Sequence, residues 1–574
     1  MRRHLILILA VLSLAIASCT SVHQIDIYGT TDLHGMLLPF DNTDGVPSDH
    51  SLANLASLIE EKGVNNFVLL DNGDILQGDP LTYYFNFVDT GRINIVPDIL
   101  NYLGYDAETV GNHDIETGHA VYDKVRSESR YPLLAANAID ITTGEPYFKP
   151  FTVIKKKGLK IIVFGLITPS VPDWLPVSLY EGIRFDDMVE TAKKWMPVMK
   201  EEKPDVIIGL FHSGVGRGDE NPEGENSSVA VAVNVPGFDL IMCGHDHNTE
   251  NKTVTNIDGA PVVILDGGSR AYSLMHAIVS FTRLSDGFFE KKVSGEIVPM
   301  NSLPQSAKFI ERYKNISDKL RDYTSEVIGR SDVSITTRDA YFGPSAFVDL
   351  IHRIQLDITG ADISFAAPLS FDEHISSGEI RIRDMFRLYR FENFLYEVSM
   401  TGREVDRYLE HSYSLWLNTM QSKNDYLLLY RLKDDGTLLL NNGKARLRNA
   451  SYNFDSAMGI RYVVDVTRPA GDRVTITSLA DGSPFINDSV YSIAVNSYRA
   501  NGGGGHFEAA GIGHQDLGSR IISSTDRDLR FYMTEWIREK HDINPVPIST
   551  WSIIPEKWIN DAKIREMKLL FENK

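Results

Sequence analysis

Five apolar runs in the first half of this chain each end in a polar turn that carries glycine together with aspartate, asparagine or histidine. Ile25-Asp26-Ile27-Tyr28 leads into Thr30-Thr31-Asp32-Leu33-His34-Gly35, and Phe67-Val68-Leu69-Leu70 leads into Asp71-Asn72-Gly73-Asp74. Thr109-Val110 precedes Gly111-Asn112-His113-Asp114, Gly209-Leu210-Phe211 precedes His212-Ser213-Gly214, and Met242-Cys243 precedes Gly244-His245-Asp246-His247. Short apolar runs alternating with amphipathic stretches mark an α/β core, whose ligands gather outside the carboxyl ends of the strands. Taken singly, each turn has a structural reading: an aspartate caps a helix, and a lone histidine is more often a satisfied core residue than a ligand. Taken together they offer Asp32, Asp74, Asn112, His34, His212, His245 and His247, a mixed nitrogen and oxygen donor set suited to transition metals. Five separate strand ends supplying such side chains point to one metal site.

At 574 residues the chain exceeds one ordinary core, so two unequal domains are expected. The α/β texture runs from Val22 to about Gly268, with helical patterns over Leu52 to Lys62 and Val189 to Glu202. Ser306 to Ser325 lacks Gly and Pro and carries Phe309, Tyr313, Ile316 and Leu320 at three- and four-residue steps, which predicts a linker helix. The second unit has a helix around Ala346 to Leu356, mixed strands and the glycine run Gly502-Gly503-Gly504-Gly505. The tail from Asn544, punctuated by Pro545, Pro547 and Pro555, reads as a wrap-around segment. The expected divisions are a leader over 1–18, a first domain over 19–304, the linker over 305–328 and a second domain over 329–574.

A formal net charge of -20 makes the chain a poor partner for nucleic-acid polymers, whose phosphates it would repel. An anionic substrate therefore needs a local reversal of the field. The start reads Met1-Arg2-Arg3-His4, then an apolar run to Ala17, then Ser18-Cys19, a basic n-region and an h-region too short to span a bilayer. Ile16-Ala17-Ser18-Cys19 resembles a bacterial lipobox, which predicts acylation of Cys19 and a lipid-anchored protein in the extracytoplasmic envelope. Cys243 is the other of only two cysteines, so no disulfide framework is expected.

The five blocks resemble, in order and spacing, the calcineurin-type metallophosphatase signature in its nucleotidase branch, across essentially the whole mature chain. The resemblance implies an N-terminal metallophosphatase β-sandwich flanked by helices, plus a smaller α/β C-terminal nucleotide-binding domain. It implies two divalent transition-metal ions (Zn, Mn, Co or Fe): the first on Asp32, His34 and His247, the second on Asn112, His212 and His245, with Asp74 bridging. Two divalent cations against two aspartates leave a centre of about +2, an attractor for a phosphate dianion. Such a pair acidifies a bridging water and clamps phosphoryl oxygens for in-line displacement.

His113 is implied to serve the reaction rather than to bind metal, stabilising developing charge or protonating the leaving oxygen. A carboxylate should orient its ring; Glu116 is favoured and Asp114 is the competitor. In the second half, Tyr452 and Tyr498 match the two rings that sandwich a base, with Gly502 and Gly503 letting backbone approach a ligand. Where 5′-nucleotidases carry Asn-Gly-Gly-x-x-Arg, this chain reads Ala366-Ala367-Pro368-Leu369-Ser370-Phe371, and Gly504 stands where they place a ribose-binding aspartate. Both departures favour the 2′,3′-cyclic-nucleotide 2′-phosphodiesterase/3′-nucleotidase branch over a 5′-nucleotidase or a sugar-nucleotide hydrolase. A non-catalytic nucleotide-binding lipoprotein is the remote alternative, disfavoured by the complete ligand set.

Overall fold

The computed structural model describes residues 22–216, 224–283 and 289–572. The leader and Cys19 lie outside the described residues.

Two six-stranded sheets form the first domain. One orders its strands Phe289–Pro299, Ser273–Arg283, Val22–Thr30, Phe67–Asp71, Ala107–Thr109 and Leu133–Leu134. The other orders Thr249–Thr255, Pro261–Gly267, Leu240–Cys243, Val206–His212, Leu159–Ile167 and Phe151–Lys156. The strands bearing the five turns pair parallel with neighbours, such as Val22–Thr30 with Phe67–Asp71 and Val206–His212 with Leu240–Cys243. Their side chains are buried on both faces, which is why they read as unbroken apolar runs. Between the sheets pack Ile25, Val68, Leu70, Ile161, Val163, Ile208 and Met242. Parallel pairing brings the carboxyl ends, and hence the turns, to one edge of this sandwich.

Helices cover the outer faces. Leu52–Lys62 starts on a Ser51/Asn54 capping box and stops at Gly63, as its sequence demands. The expected linker is the helix Ala307–Ser325, capped by Ser306. Phe309, Tyr313 and Leu320 join the core that holds Leu52, Leu55 and Ile99, so this helix is docked on the first domain.

The second unit centres on a five-stranded sheet, ordered Ser456–Met458, Ile363–Ala366, Val490–Asn496, Phe394–Thr401 and Ile521–Asp528, with helices Ala346–Thr359 and Gly402–Trp416 against it. The tail departs from the wrap-around reading. Trp551–Ile554 adds as a parallel strand to Ile460–Asp465, and Glu556–Phe571 is a 16-residue helix. Trp551, Ile553, Ile559, Leu570 and Phe571 sit in the core of this unit, so the prolines delimit elements rather than mark a loose strap.

The two units touch beside the turns. Tyr83 of the first packs into a cluster of the second, with the Arg530 guanidinium 5.0 Å from its ring and 4.1 Å from that of Phe386. Arg387 pairs with Asp44 at 2.8 Å, and the Gln77 amide donates to the Arg390 carbonyl.

Candidate metal centre and substrate site

The turn residues need unusual backbone. Asp32, His34, Asp74, His245 and His247 all have positive φ, from 45° to 80°, a region that costs non-glycine residues energy and persists only where the surroundings impose it. Two glycines make room. A Cβ at Gly244 would lie 2.3 Å from Asp32 Oδ2, and one at Gly111 would lie 2.2 Å from Asp74 Oδ1.

This backbone assembles two groups. In each of Asp32, His34, His247 and Asp74, His212, His245, one potential ligand atom per residue lies within 4.8 Å of the others. Asn112 Oδ1 joins the second group, 2.8 Å from His245 Nδ1 and 3.1 Å from His212 Nε2. All seven residues expected as ligands are therefore brought to the two clusters.

Hydrogen bonds to acceptor-only oxygens fix three tautomers. His34 Nδ1 donates to the Gln77 carbonyl, His212 Nδ1 to the Asn72 carbonyl, and His245 Nε2 to Glu225 Oε1, at 2.9, 2.7 and 2.8 Å. In the neutral ring each leaves the other nitrogen as a lone pair facing the cluster, the arrangement that orients histidine ligands. Trp174 stacks on the His245 ring.

The donor set fits cations on two further counts. His34 Nε2 and His247 Nε2 face each other at 3.0 Å, close enough to share a proton or a cation. Asp74 Oδ2 is buried and has His212 Nε2 3.1 Å away, whereas its Oδ1 accepts from His113 N at 2.8 Å. Burial pushes His34 down to about 3, keeping it neutral. Burial also lowers His212, but Asp74 above all outweighs it and raises the group to about 10, so the cluster's field favours positive charge there.

His113 follows Asn112, and its ring stands edge-on to that of His34 with centroids 5.4 Å apart. Its Nδ1 meets Glu116 Oε2 at 2.5 Å. Burial opposes its charge, yet Asp74 and then Glu116 raise it to about 9. Asp114 does different work: its two oxygens accept four backbone N–H groups, from Gly111, Asp74, Ile75 and Leu76, at 2.8–2.9 Å. It shapes the loops that carry Asp74 and Asn112, and Glu116 is the carboxylate that meets the imidazole.

Tyr452 and Tyr498 stand together, ring centroids 6.3 Å apart, but at 89° rather than face to face. Parallel stacking on both faces of a base thus requires one ring to turn. A Cβ at Gly503 would lie 2.5–2.6 Å from three Tyr498 ring atoms, so this glycine backs the ring; Gly502 has φ +104°. Burial raises both phenols, and the Glu225 charge adds to each.

Two further residues, Arg499 and Glu225, hold the site together without having been assigned a role from sequence. The buried Arg499 pairs with Asp455 at 2.8 Å and donates to the Tyr452 and Gly503 carbonyls, tying both tyrosine segments together. Glu225 had no sequence signal, because nothing in its own segment marks it as the partner of a histidine twenty residues on.

Residues 25–249 match the calcineurin-like phosphoesterase family and residues 327–511 the 5′-nucleotidase C-terminal domain. The chain is 26% identical to the trifunctional nucleotide phosphoesterase protein YfkN of Bacillus subtilis, over 95% of this chain but 40% of that longer protein. It is 26% identical to the 2′,3′-cyclic-nucleotide 2′-phosphodiesterase/3′-nucleotidase of Salmonella typhimurium, over 95% of this chain and 91% of the relative. The crystal structure of a 5′-nucleotidase precursor from Thermus thermophilus aligns with TM-score 0.63 over 93% of this chain and all of that one, a likeness of fold at 20% identity. With both matches in order along the chain, and two clusters of metal-competent donors at the turns, the chain belongs to the family of metal-dependent phosphoester hydrolases that join a calcineurin-like phosphoesterase domain to a 5′-nucleotidase C-terminal domain.

Proposed function

We propose that this protein hydrolyses nucleoside 2′,3′-cyclic phosphates and 3′-phosphates outside the cytoplasm, while tethered through a lipid on Cys19. The observation that carries the reading is the run of contacts from the donors to the rings: His34 Nδ1 donates to the Gln77 carbonyl, the Gln77 amide donates to the Arg390 carbonyl, and the adjacent Phe391 packs edge-on against Tyr452. On this reading a base stacked at Tyr452 and Tyr498 directs its sugar phosphate toward the donor clusters. Support for the branch comes from the Salmonella relative's name and from the absence of the anion-binding arginine and ribose-binding aspartate of 5′-nucleotidases.

Asp32, His34 and His247 would hold one cation and Asn112, His212 and His245 a second, with Asp74 shared; Zn, Mn, Co and Fe all suit such donors. Bound there, two divalent cations neutralise phosphoryl charge and acidify water. The chain's own residues do the rest. Glu116 fixes the His113 ring by Nδ1, leaving Nε2 for the substrate. As water oxygen adds to phosphorus and the P–O bond to the ribose breaks, His113 Nε2 gives its proton to the departing oxygen. Opening the cyclic ester uses the same transfer.

A phosphate-release panel over 3′-AMP, 2′,3′-cyclic AMP, 5′-AMP and a sugar nucleotide tests the reading. The first two should turn over at least about tenfold faster than the others, a margin of ~1.4 kcal/mol. Preference for 5′-AMP or the sugar nucleotide would reassign the branch.

A further inference from the structure

A cavity of about 700 Å³ opens beside Tyr452 in the second unit. Four cationic side chains line it, Arg390, Arg431, Lys444 and Arg446, and no carboxylate does. In a chain of net charge -20 this is an unusual place. None of the four has a carboxylate within 4.0 Å, and none of their side chains donates a hydrogen bond among the described residues. Cations gathered without counter-ions repel one another, and an anion relieves that repulsion. Burial and then the nearby Arg270 hold the Arg390 guanidinium below the usual arginine range, with Glu373 only partly offsetting them. Its ring neighbour is Phe391, which itself packs edge-on against Tyr452.

The cavity is not the metal site but is tied to it. The Arg390 carbonyl accepts from the Gln77 side chain, and the Gln77 carbonyl accepts from the ligand His34. Tyr452 belongs to both places, forming the base clamp with Tyr498 and one wall of the cavity. A nucleotide with its base at Tyr452 and its 3′-phosphate at the donor clusters therefore lies along a surface that continues into four unpaired cations.

Resting on the function proposed above, we infer that this cavity is a second anion subsite, which takes the 5′-phosphate of a nucleoside 3′,5′-bisphosphate while the 3′-phosphate is cleaved. The guanidinium forks of Arg390, Arg431 and Arg446 match phosphate oxygens bidentately, and Lys444 adds a point charge. The reaction is the one already described: water adds to the 3′-phosphorus, the 3′ P–O bond breaks, and the products are inorganic phosphate and a nucleoside 5′-phosphate. An enzyme built this way completes the breakdown of chains whose nucleases leave phosphate at both ends of a nucleotide.

The test compares adenosine 3′,5′-bisphosphate with 3′-AMP, by calorimetric binding to metal-stripped protein and by kcat/KM of the metal-loaded enzyme. The bisphosphate should bind at least tenfold more tightly, and the kcat/KM ratio should favour it by a similar factor at low salt. In Lys444→Ala/Arg446→Ala both preferences should fall at least tenfold, and Arg431→Gln, a single exposed change, should lower them in the same direction. Hydrolysis of 3′-AMP with no preference for the bisphosphate, or a preference the variants keep, overturns the subsite and leaves the proposed function standing. Failure to hydrolyse 3′-AMP overturns that function, and a calorimetric preference equal in wild type and variants then overturns the subsite separately.

Discussion

The donor clusters and the tyrosine pair are held by opposite means. In the first domain the backbone itself is committed: five of the seven donors sit at positive φ, and Gly111 and Gly244 leave room for nothing larger than hydrogen. In the second, the rings stand at 89° on short helical turns, Tyr452 is 39% exposed, and one buried guanidinium, Arg499, ties their segments. On the proposed function, the chemistry is preorganised, whereas recognition keeps a side-chain degree of freedom. A site that must place charge within fractions of an ångström spends backbone strain on it. A site that grips any flat base needs only aromatic faces free to turn.

That contrast is open to attack from both sides. The largest effect should come from His113→Ala, which lowers kcat by about 10² to 10⁴ while leaving metal content, read by elemental analysis, and KM nearly unchanged. Parallel loss of bound metal would make His113 a ligand and blur the division between donors and catalyst. Next, Arg499→Met strands the buried Asp455 carboxylate and should cost about 3–5 kcal/mol, seen as early denaturant unfolding of the second unit. Metal binding by the first domain should survive; joint loss would mean the two regions are not independently held.

Tyr452→Ala should remove about 1–3 kcal/mol of base stacking, raising KM and sparing kcat at saturation. A fall in kcat alone would move this ring from recognition into the reaction.

The last effect is graded with pH. Burial holds His352 and His506 of the second unit at about 3, against 6.5 for the free side chain. Between those values the unfolded chain binds protons the folded one refuses, so stability is fully present above pH 6.5 and falls as pH drops toward 3. Each histidine should cost about 1.4 kcal/mol per pH unit there. His352→Asn should flatten the acid limb, measured by urea midpoints from about pH 7 to 5; an unchanged slope contradicts the assignment.

The metal donors were legible in the sequence because parallel strands force their polar ends to one edge, so linear order maps onto space. Glu116 and Asp114 were separable only in three dimensions, since both lie within one helical turn of the imidazole and differ in where their oxygens point. Tyr452 and Tyr498 could be named, but not their crossed rings. The tail misled because its prolines mark loops equally well when they flank a strand and a helix. Lys444 and Arg446 share one short stretch, but Arg390 and Arg431 come from other segments of the second unit, so no single stretch of sequence shows their common cavity.

The claim on which everything else rests is that Asp74 joins two cations. Electron paramagnetic resonance of the protein titrated with Mn(II) tests it directly. Filling both clusters should give a spin-coupled signal at two equivalents, which Asp74→Asn abolishes or converts to that of isolated ions. Saturation at one equivalent, or two uncoupled ions in the wild-type protein, would contradict the account.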